Sequence, residues 1–350
     1  MRKLGLVLGG VFAGLLILEV ILRVANHGAR PGGSYDTSSP VRNSRWIAHP
    51  FLPYAGRPNS RFEMFNGPER MPEIIVTNSY GFRAHEFPTE KKPGDFFILA
   101  FGGSTTYGYK IASNEKTWPE ILERKLAAQY PDKHIVAFNL GIDMATNAVG
   151  LVNLALVGVH LKPDLVIAYE GYNDLSSLGY KNFYTDQRHF YKDIDPAAMF
   201  AGFQLSVPQW LLRSYVVYYA TGMLDQRLGM NDLMQTARMP KEPDEDRFRG
   251  IEATLENLKT MDAIAKGYGA QALFSTFQFT YEDKQPEYQQ FNEALRRYFA
   301  ATGLLWIDQA ALIPDEDSTI NVDDCHFTDK GNEMFADNFY RFIVEHGLVK

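Results

Sequence analysis

Four consecutive residues near the end of the chain, Asp323-Asp324-Cys325-His326, have side chains suited to general-base chemistry. A histidine that acts as a base needs a carboxylate to fix its tautomer and to stabilise its imidazolium form. In a tight turn, Asp323 can reach one ring nitrogen of His326 and leave the other free for a nucleophile. Asp324 is an alternative orienting acid, because the register of the turn is open. An isolated Asp-x-x-His pattern is more often a solvated loop, so the hypothesis needs a nucleophile elsewhere in the chain.

The candidate nucleophile is Ser104, which follows an apolar run from Phe96 to Phe101 and then Gly102-Gly103. A short apolar run bounded by glycine is typical of a buried strand, and paired glycines allow a sharp turn at its end. The serine hydroxyl would then lie at the carboxyl end of a strand, where open α/β sheets form their ligand crevice. The alternative is an ordinary turn with a solvated serine. A second alternative is Cys325 as nucleophile, but its side chain should point elsewhere if the histidine faces the serine.

A regular fold must bring Ser104 and His326 together, because they are far apart in the chain. The runs typical of buried strands are Phe96–Phe101, Ile135–Leu140, Leu165–Tyr169, Ala272–Thr276 and Leu304–Ile307. Segments with helical periodicity separate these runs, and such alternation predicts a parallel sheet, here of five strands. Asn173 comes directly after the third strand and would bring an amide donor to the same edge of the sheet.

Two of the separating helices have limits that can be predicted. Thr117-Trp118-Pro119-Glu120 predicts a helix start with a capping box and with proline in the first turn. The segment from Ala145 to Leu161 is apolar nearly all round and predicts one buried helix, which Pro163 would end.

These blocks, in this order and at strand ends, resemble those of GDSL-like hydrolases of the SGNH superfamily, over roughly residues 96–174 and 250–350. Gly102-Gly103-Ser104-Thr105 resembles the nucleophile block, with Gly103 where the family commonly has aspartate. Gly171-Tyr172-Asn173-Asp174 matches the Gly-x-Asn-Asp block in full, and Asp323 with His326 matches Asp-x-x-His.

The family's second block is where this sequence departs from the pattern. With Asn139 aligned to the strand-end asparagine of the family, the oxyanion glycine falls on Met144. Because the donor at that position is a backbone N–H, a methionine can still supply it. The conformation of the loop is the feature that this substitution leaves open.

The resemblance implies a three-layer α/β/α sandwich of the SGNH or flavodoxin-like type and acyl transfer through a serine ester. Ser104 would be the nucleophile, His326 the base and Asp323 its orienting acid. The N–H groups of Ser104 and Met144 and the amide of Asn173 would hold the oxyanion. No cofactor is implied. No metal is expected either, because the histidines of this chain lack ligand spacing.

The start of the chain predicts a membrane anchor over residues 1–27. Basic residues precede an apolar stretch from Leu4 to Leu18, and Glu19 and Arg23 can pair on one helix face beyond it. No small-residue cleavage site follows, which favours an uncleaved signal-anchor over a cleaved signal peptide. The protein would then be a single-pass protein of the inner (cytoplasmic) membrane, with its catalytic domain on the periplasmic or extracellular side. Together with the segment Asn78–Arg83, this start resembles membrane-anchored bacterial members of the superfamily.

The predicted domain organisation has five parts. They are the anchor (1–27), a linker and N-terminal arm (28–90), a first hydrolase part (91–175), an aromatic-rich insertion (176–247) and a second hydrolase part (248–350). The insertion is interpreted as a lid, a partner surface or extra structural helices. Its segments 210–212 and 216–219 are apolar enough to touch a bilayer close to the anchor. No chemical role is derived for the arm, for which packing against the main domain is the default.

Composition narrows the class of function. The chain has 350 residues, a formal net charge of -7 and no basic run, which argues against nucleic-acid binding. Its single cysteine excludes an internal disulfide.

The first hypothesis is an ester hydrolase for an acylated small molecule, lipid or glycan. The alternatives are an O-acyltransferase that modifies a cell-envelope glycan with a membrane protein partner, and a binding module with a relict site.

Overall fold

The computed structural model of the protein describes residues 2–25, 45–47, 49–66, 71–180, 183–191, 211, 214–217, 219–220, 248–314 and 319–350. Residues 28–44 of the predicted linker and N-terminal arm lie outside these residues. So do most of the aromatic insertion and the charged run from 241 to 246 at its end.

The strands are β1 (Trp46–Ile47), β2 (Ala55–Gly56), β3 (Arg61–Asn66), β4 (Met71–Val76), β5 (Asp95–Gly102), β6 (His134–Asn139), β7 (Leu165–Tyr169), β8 (Gln271–Ser275) and β9 (Trp306–Ile307). The last five form one sheet in the order β6-β5-β7-β8-β9, with every neighbouring pair parallel. This confirms the predicted five-stranded parallel sheet. The first four form two small antiparallel pairs, β1 with β2 and β3 with β4.

The helices are α1 (Arg2–Ala25), α2 (Ser104–Tyr107), α3 (Trp118–Gln129), α4 (Asn147–Leu156), α5 (Tyr172–Leu178), α6 (Ile251–Gly267), α7 (Pro286–Thr302), α8 (Gln309–Leu312) and α9 (Asp329–Glu345). Helix α3 packs against α9, and α4 packs against α6. Successive residues of β5 point to opposite faces of the sheet, and Ile98 and Leu99 are both fully buried. Both faces of the sheet are therefore covered, as in an α/β protein with helices on each side.

The two local helix predictions are only partly right. Helix α3 begins at Trp118 as expected, but the capping box is absent: the Thr117 hydroxyl accepts no helix N–H and instead donates to the Asn114 carbonyl at 2.8 Å. Helix α4 ends at Leu156, and a 3-10 turn follows over Gly158–Leu161, so the prediction of one continuous helix is wrong. At Gly158 a Cβ would lie 3.0 Å from Cδ1 of Leu99, so a glycine there lets the turn approach the sheet closely.

The amino-terminal segment is helical, but the predicted transmembrane anchor is not supported. Among the described residues, no helix combines the length and the apolar character that a bilayer span requires. The charged residues Glu19 and Arg23 lie within α1 and form an ion pair at 2.8 Å. The Glu19 carboxylate also accepts hydrogen bonds from the Ser214 hydroxyl at 2.8 Å and from the Val216 N–H at 3.0 Å, which ties α1 to the insertion. The membrane location stays a prediction from the sequence.

Helix α4 offers a matched test of the core. Leu154 is fully buried, whereas Leu156, two residues along the same helix, is half exposed. Leu154→Ala is expected to lower the free energy of unfolding by about 2–5 kcal/mol, because it removes buried methyl groups and leaves a cavity. Leu156→Ala should change it by less than about 0.5 kcal/mol. Urea denaturation of both variants measures the difference, and equal losses would contradict the assigned packing of α4.

Candidate active site

Ser104 lies where the sequence places it, at the end of β5 and the start of α2. The two glycines before it are needed for close approach of other groups. A Cβ at Gly102 would lie 2.1 Å from the Thr106 hydroxyl oxygen, and one at Gly103 would lie 2.6 Å from the Asn173 amide nitrogen. The aspartate that is common in the family at the second position would not fit this arrangement unless the Asn173 amide moved.

The side chains of Ser104, His326 and Asp323 form a hydrogen-bonded line. The serine Oγ lies 2.7 Å from Nε2 of His326, and Nδ1 of His326 lies 2.7 Å from Oδ1 of Asp323. The imidazole is only 14% exposed. With a proton on Nδ1, the free Nε2 lone pair faces the serine hydroxyl, which is the orientation that a general base requires.

The loop that carries Asp323 and His326 is fastened to the sheet by side chains from two other elements. The Thr105 hydroxyl, next to the nucleophile candidate, donates to the Cys325 carbonyl at 2.9 Å. The Thr280 hydroxyl, beyond the end of β8, donates to the Asp323 carbonyl at 2.8 Å. Chain segments more than 200 residues apart are thereby held in one register.

The Asp323 carboxylate is held ionised. Burial alone would raise its pKa, but several donors outweigh that effect and hold the pKa well below its usual range. They are the His326 ring, the Lys110 ammonium and the Cys325 N–H. A carboxylate in this state stays negatively charged at neutral pH and can stabilise an imidazolium.

The sequence left two alternatives open, Asp324 as the orienting acid and Cys325 as the nucleophile. Asp323, and not the exposed Asp324, contacts His326. The expectation that the Cys325 side chain points elsewhere is wrong, because its sulfur lies 3.6 Å from Nδ1 of His326. The thiol is buried, and burial together with the nearby carboxylates raises its pKa far above the usual value. It is therefore kept as a neutral thiol, which is a poor nucleophile.

Met144 adopts the left-handed backbone conformation, with φ of 59°, at the position where the family has glycine. That conformation costs a non-glycine residue about 1–2 kcal/mol, so neighbouring contacts must hold it. The Tyr191 hydroxyl donates to the Met144 carbonyl at 3.1 Å and accepts from the Thr146 N–H at 2.7 Å. The Asn173 amide donates to the Ala145 carbonyl at 2.8 Å and so lies against the same loop.

The amino-terminal arm also grips this loop. Arg45 forms a buried ion pair with the Asp143 carboxylate at 2.9 Å, and the Tyr54 hydroxyl donates to the Asp143 carbonyl. Residues from the arm therefore fix the residue immediately before Met144. The sequence analysis derived no chemical role for the arm, and no spacing or periodicity links residue 45 to residue 143.

Arg83, from the segment that resembles membrane-anchored relatives, is completely buried. Its guanidinium pairs with Glu73 at 3.3 Å and donates to the carbonyl oxygens of Gly108 at 2.6 Å and Ile111 at 3.0 Å. These carbonyls bracket Tyr109 and Lys110, whose side chains contact the histidine and the aspartate of the site. The sequence analysis gave Arg83 no role, because its burial and its partners become visible only in the folded structure.

Two groups of side chains within the described residues have ligand atoms close enough for a metal ion. The first, Asp323 with Cys325 and His326, is already engaged in the hydrogen bonds of the site. In the second, Nε2 of His85 lies 3.1 Å from Glu120 and 3.3 Å from Glu123. Hydrogen bonds to Glu120 and Glu123 raise the pKa of His85 to about 10, so a proton supplies the cation there at neutral pH. Neither group calls for a metal.

Comparison with known proteins gives one family match and several similar solved structures. Residues 98–199 match the family model described as GDSL-like Lipase/Acylhydrolase. Among solved structures, the acetylxylan esterase Axe2 from Geobacillus stearothermophilus is similar over 71% of this chain and 94% of its own, with 14% identity and a TM-score of 0.43. The structure of TesA is similar over 72% of this chain and 99% of its own, with 14% identity and a TM-score of 0.45. Similarity at this level carries no information about substrate. A search of curated proteins found no significant match.

A parallel α/β sheet with serine, histidine and aspartate side chains in contact at the carboxyl ends of its strands is an arrangement found in hydrolytic enzymes. Within that class, the family match covers most of β5, Ser104 and the block around Asn173. Residues 98–199 are therefore assigned to a GDSL-like lipase/acylhydrolase domain, and this match supports an enzyme that acts on ester bonds. Membership of the membrane-anchored group stays a prediction.

Two buried acidic residues, Glu170 and Asp174, lie close to Asn173 in the chain. Glu170 follows β7, and neither of its carboxylate oxygens has a hydrogen-bond partner among the described residues. Burial, with the nearby Asp174 charge, raises the pKa of Glu170 well above its usual value. Burial also raises the pKa of Asp174 to about 7, although the Asn147 N–H and the Gln187 amide donate to it at 3.0 and 3.3 Å. Both acids therefore favour the protonated form in the folded protein.

The raised pKa of Asp174 predicts how the free energy of unfolding depends on pH. The folded pKa of Asp174 is above its ordinary value of 3.8, so its contribution to stability is complete below that value and is lost as pH rises through about 7. Asp174→Asn cannot ionise, so its free energy of unfolding should fall less between pH 5 and 7. The difference in slope should be about 1.4 kcal/mol per pH unit.

Urea denaturation at pH 5, 6 and 7 measures these slopes. Asp186→Asn is the matched control, because Asp186 is exposed and its pKa is lowered, chiefly by Arg188 acting against burial. It should follow the native protein over this range. Identical slopes for Asp174→Asn and the native protein would mean that Asp174 is already ionised in the fold at pH 5.

Proposed function

We propose that this enzyme hydrolyses esters through a covalent acyl-serine intermediate formed on Ser104. His326 removes the hydroxyl proton as the oxygen attacks the acyl carbonyl, and Asp323 holds the imidazole in the required tautomer. The tetrahedral intermediate collapses when His326 returns the proton to the leaving alkoxide, and the alcohol departs. Water then attacks the acyl-serine with His326 again as base, and the carboxylic acid and free serine are released.

The developing oxyanion needs donors that are fixed before the reaction begins. In this proposal they are the N–H groups of Ser104 and Met144 and the side-chain amide of Asn173. The contacts of Asp143, Met144 and Asn173 with the arm, with Tyr191 and with Ala145 support this role, because they hold the donors without help from substrate. No cofactor and no metal takes part in these steps.

The observation that carries the proposal is the pair of 2.7 Å contacts that His326 makes, one with Ser104 and one with Asp323. Solvated loop residues have no reason to form such a line across more than 200 residues of chain. The well-lowered pKa of Asp323 adds to it, because only the ionised carboxylate stabilises a protonated histidine. The acyl and alcohol parts of the substrate are left to experiment, and short acyl esters, long acyl esters and acetylated glycans are the classes to screen.

The test is ester hydrolysis and labelling by a fluorophosphonate probe, which reacts with activated serines. Ser104→Ala and His326→Ala should each lower kcat/KM by at least about 10³-fold, because each removes one member of a group that acts as a unit. Asn173→Ala should lower kcat by about 10²–10³-fold. Ser79→Ala, which changes an exposed serine of the arm, is the control and should keep full activity.

Each outcome separates the candidates. Loss of both hydrolysis and labelling in Ser104→Ala, with free acid released in the absence of any acceptor, supports the hydrolase. Labelling of Ser104 with product only when a sugar acceptor is added indicates an O-acyltransferase, which uses the same chemistry with a hydroxyl in place of water. Full activity in Ser104→Ala would contradict the assignment of the nucleophile, and a native protein that neither labels nor turns over would be a binding module.

A further inference from the structure

The two carboxylate oxygens of Asp323 have separate partners. Oδ1 accepts from Nδ1 of His326 at 2.7 Å, from the His326 N–H at 3.0 Å and from the Cys325 N–H at 3.2 Å. Oδ2 instead contacts the Lys110 ammonium at 3.0 Å. Lys110 therefore sits on the side of the carboxylate that faces away from the histidine, and the aspartate bridges a lysine and an imidazole.

The backbone conformation around Lys110 places its ammonium against the Asp323 carboxylate. Gly108 ends α2 in the left-handed conformation with φ of 88°, and Lys110 itself has φ of 64°. The carbonyls of Gly108 and Ile111 accept from the buried Arg83 guanidinium, so the loop is held on both sides of the lysine. Between them, the Tyr109 ring lies against the His326 ring, with centroids 4.7 Å apart. One short loop thus contacts both the aspartate and the histidine.

A cation at this place has two physical effects. Its hydrogen bond fixes the rotamer of the carboxylate, so that Oδ1 stays aimed at Nδ1 of the histidine. Its charge lies 3.0 Å from the carboxylate that holds the imidazole, where it opposes the addition of a second positive charge to the ring.

We propose that Lys110 is a positioning residue that acts through Asp323 and sets the acid limit of activity. This inference rests on the proposed function, because it needs His326 to be the base. The titratable groups in contact with the His326–Asp323 pair are Lys110 at the carboxylate and the buried thiol of Cys325 and the phenol ring of Tyr109 at the imidazole, while Asp324, next in the chain, is exposed.

The experiment compares Lys110→Met, which removes the charge and the donor, with Lys110→Arg, which keeps both. The acid limb of the kcat/KM profile in Lys110→Met should move to higher pH by about one unit, because the imidazolium is no longer opposed by the ammonium. Lys110→Arg should restore the native limb. Lys116→Met is the control: Lys116 pairs with Asp329, an aspartate that does not contact His326, and its profile should match that of the native protein.

The rate of fluorophosphonate labelling against pH gives a second readout, which needs no knowledge of the substrate and works at low residual activity. A shifted limb in Lys110→Met, restored in Lys110→Arg, supports the inference. An unchanged limb in Lys110→Met, with Ser104→Ala inactive, overturns the role of Lys110 and leaves the proposed function standing. Full activity in Ser104→Ala would overturn both, so the two failures are distinguishable.

Discussion

The burial of the Arg83 guanidinium is the constraint on which the arrangement of the site depends. A buried arginine must find an acceptor for each of its donors and a counter-charge, since an unpaired buried cation is very costly. Glu73 supplies the charge, and the carbonyls of Gly108 and Ile111 are among the acceptors. Those carbonyls can serve only if the loop after α2 folds back onto the arm. That fold places Tyr109 and Lys110 against the histidine and the aspartate of the site.

The arm therefore does more than cover the sheet. Arg45 and Tyr54 hold Asp143, next to a strained Met144, while Arg83 holds the loop on the other side of Ser104. A strained left-handed residue persists only where its surroundings fix it, and these contacts do so from a separate part of the chain. The parallel sheet brings the loops to one edge, and the arm then limits their conformational freedom.

The sequence was sufficient to predict the sheet and the contact between Ser104 and His326. Both predictions rest on local patterns, namely the alternation of strands with helices and the residues that directly follow the strands. It was insufficient for Arg83 and Lys110, whose partners are backbone and side-chain groups that become neighbours only after folding. The Cys325 sulfur illustrates the same limit, since its direction depends on the turn that Thr105 and Thr280 fasten. The predicted capping box at Thr117 did not form, and the hydroxyl instead donates to the Asn114 carbonyl in the preceding turn.

The buried and half-buried carboxylates near the site are stabilised in two different ways, by ion pairs with cationic side chains or by protonation. Asp143 and Asp323 form ion pairs with the side chains of Arg45 and Lys110. Asp174 has no cationic partner within the part of the chain that the structure describes, and burial raises its pKa to about 7, so it is protonated below that pH. In the proposed mechanism activity depends on His326 and its neighbours, whereas the pH dependence of stability depends on the buried Asp174. Because different groups control the two, the pH of highest activity need not be the pH of highest stability.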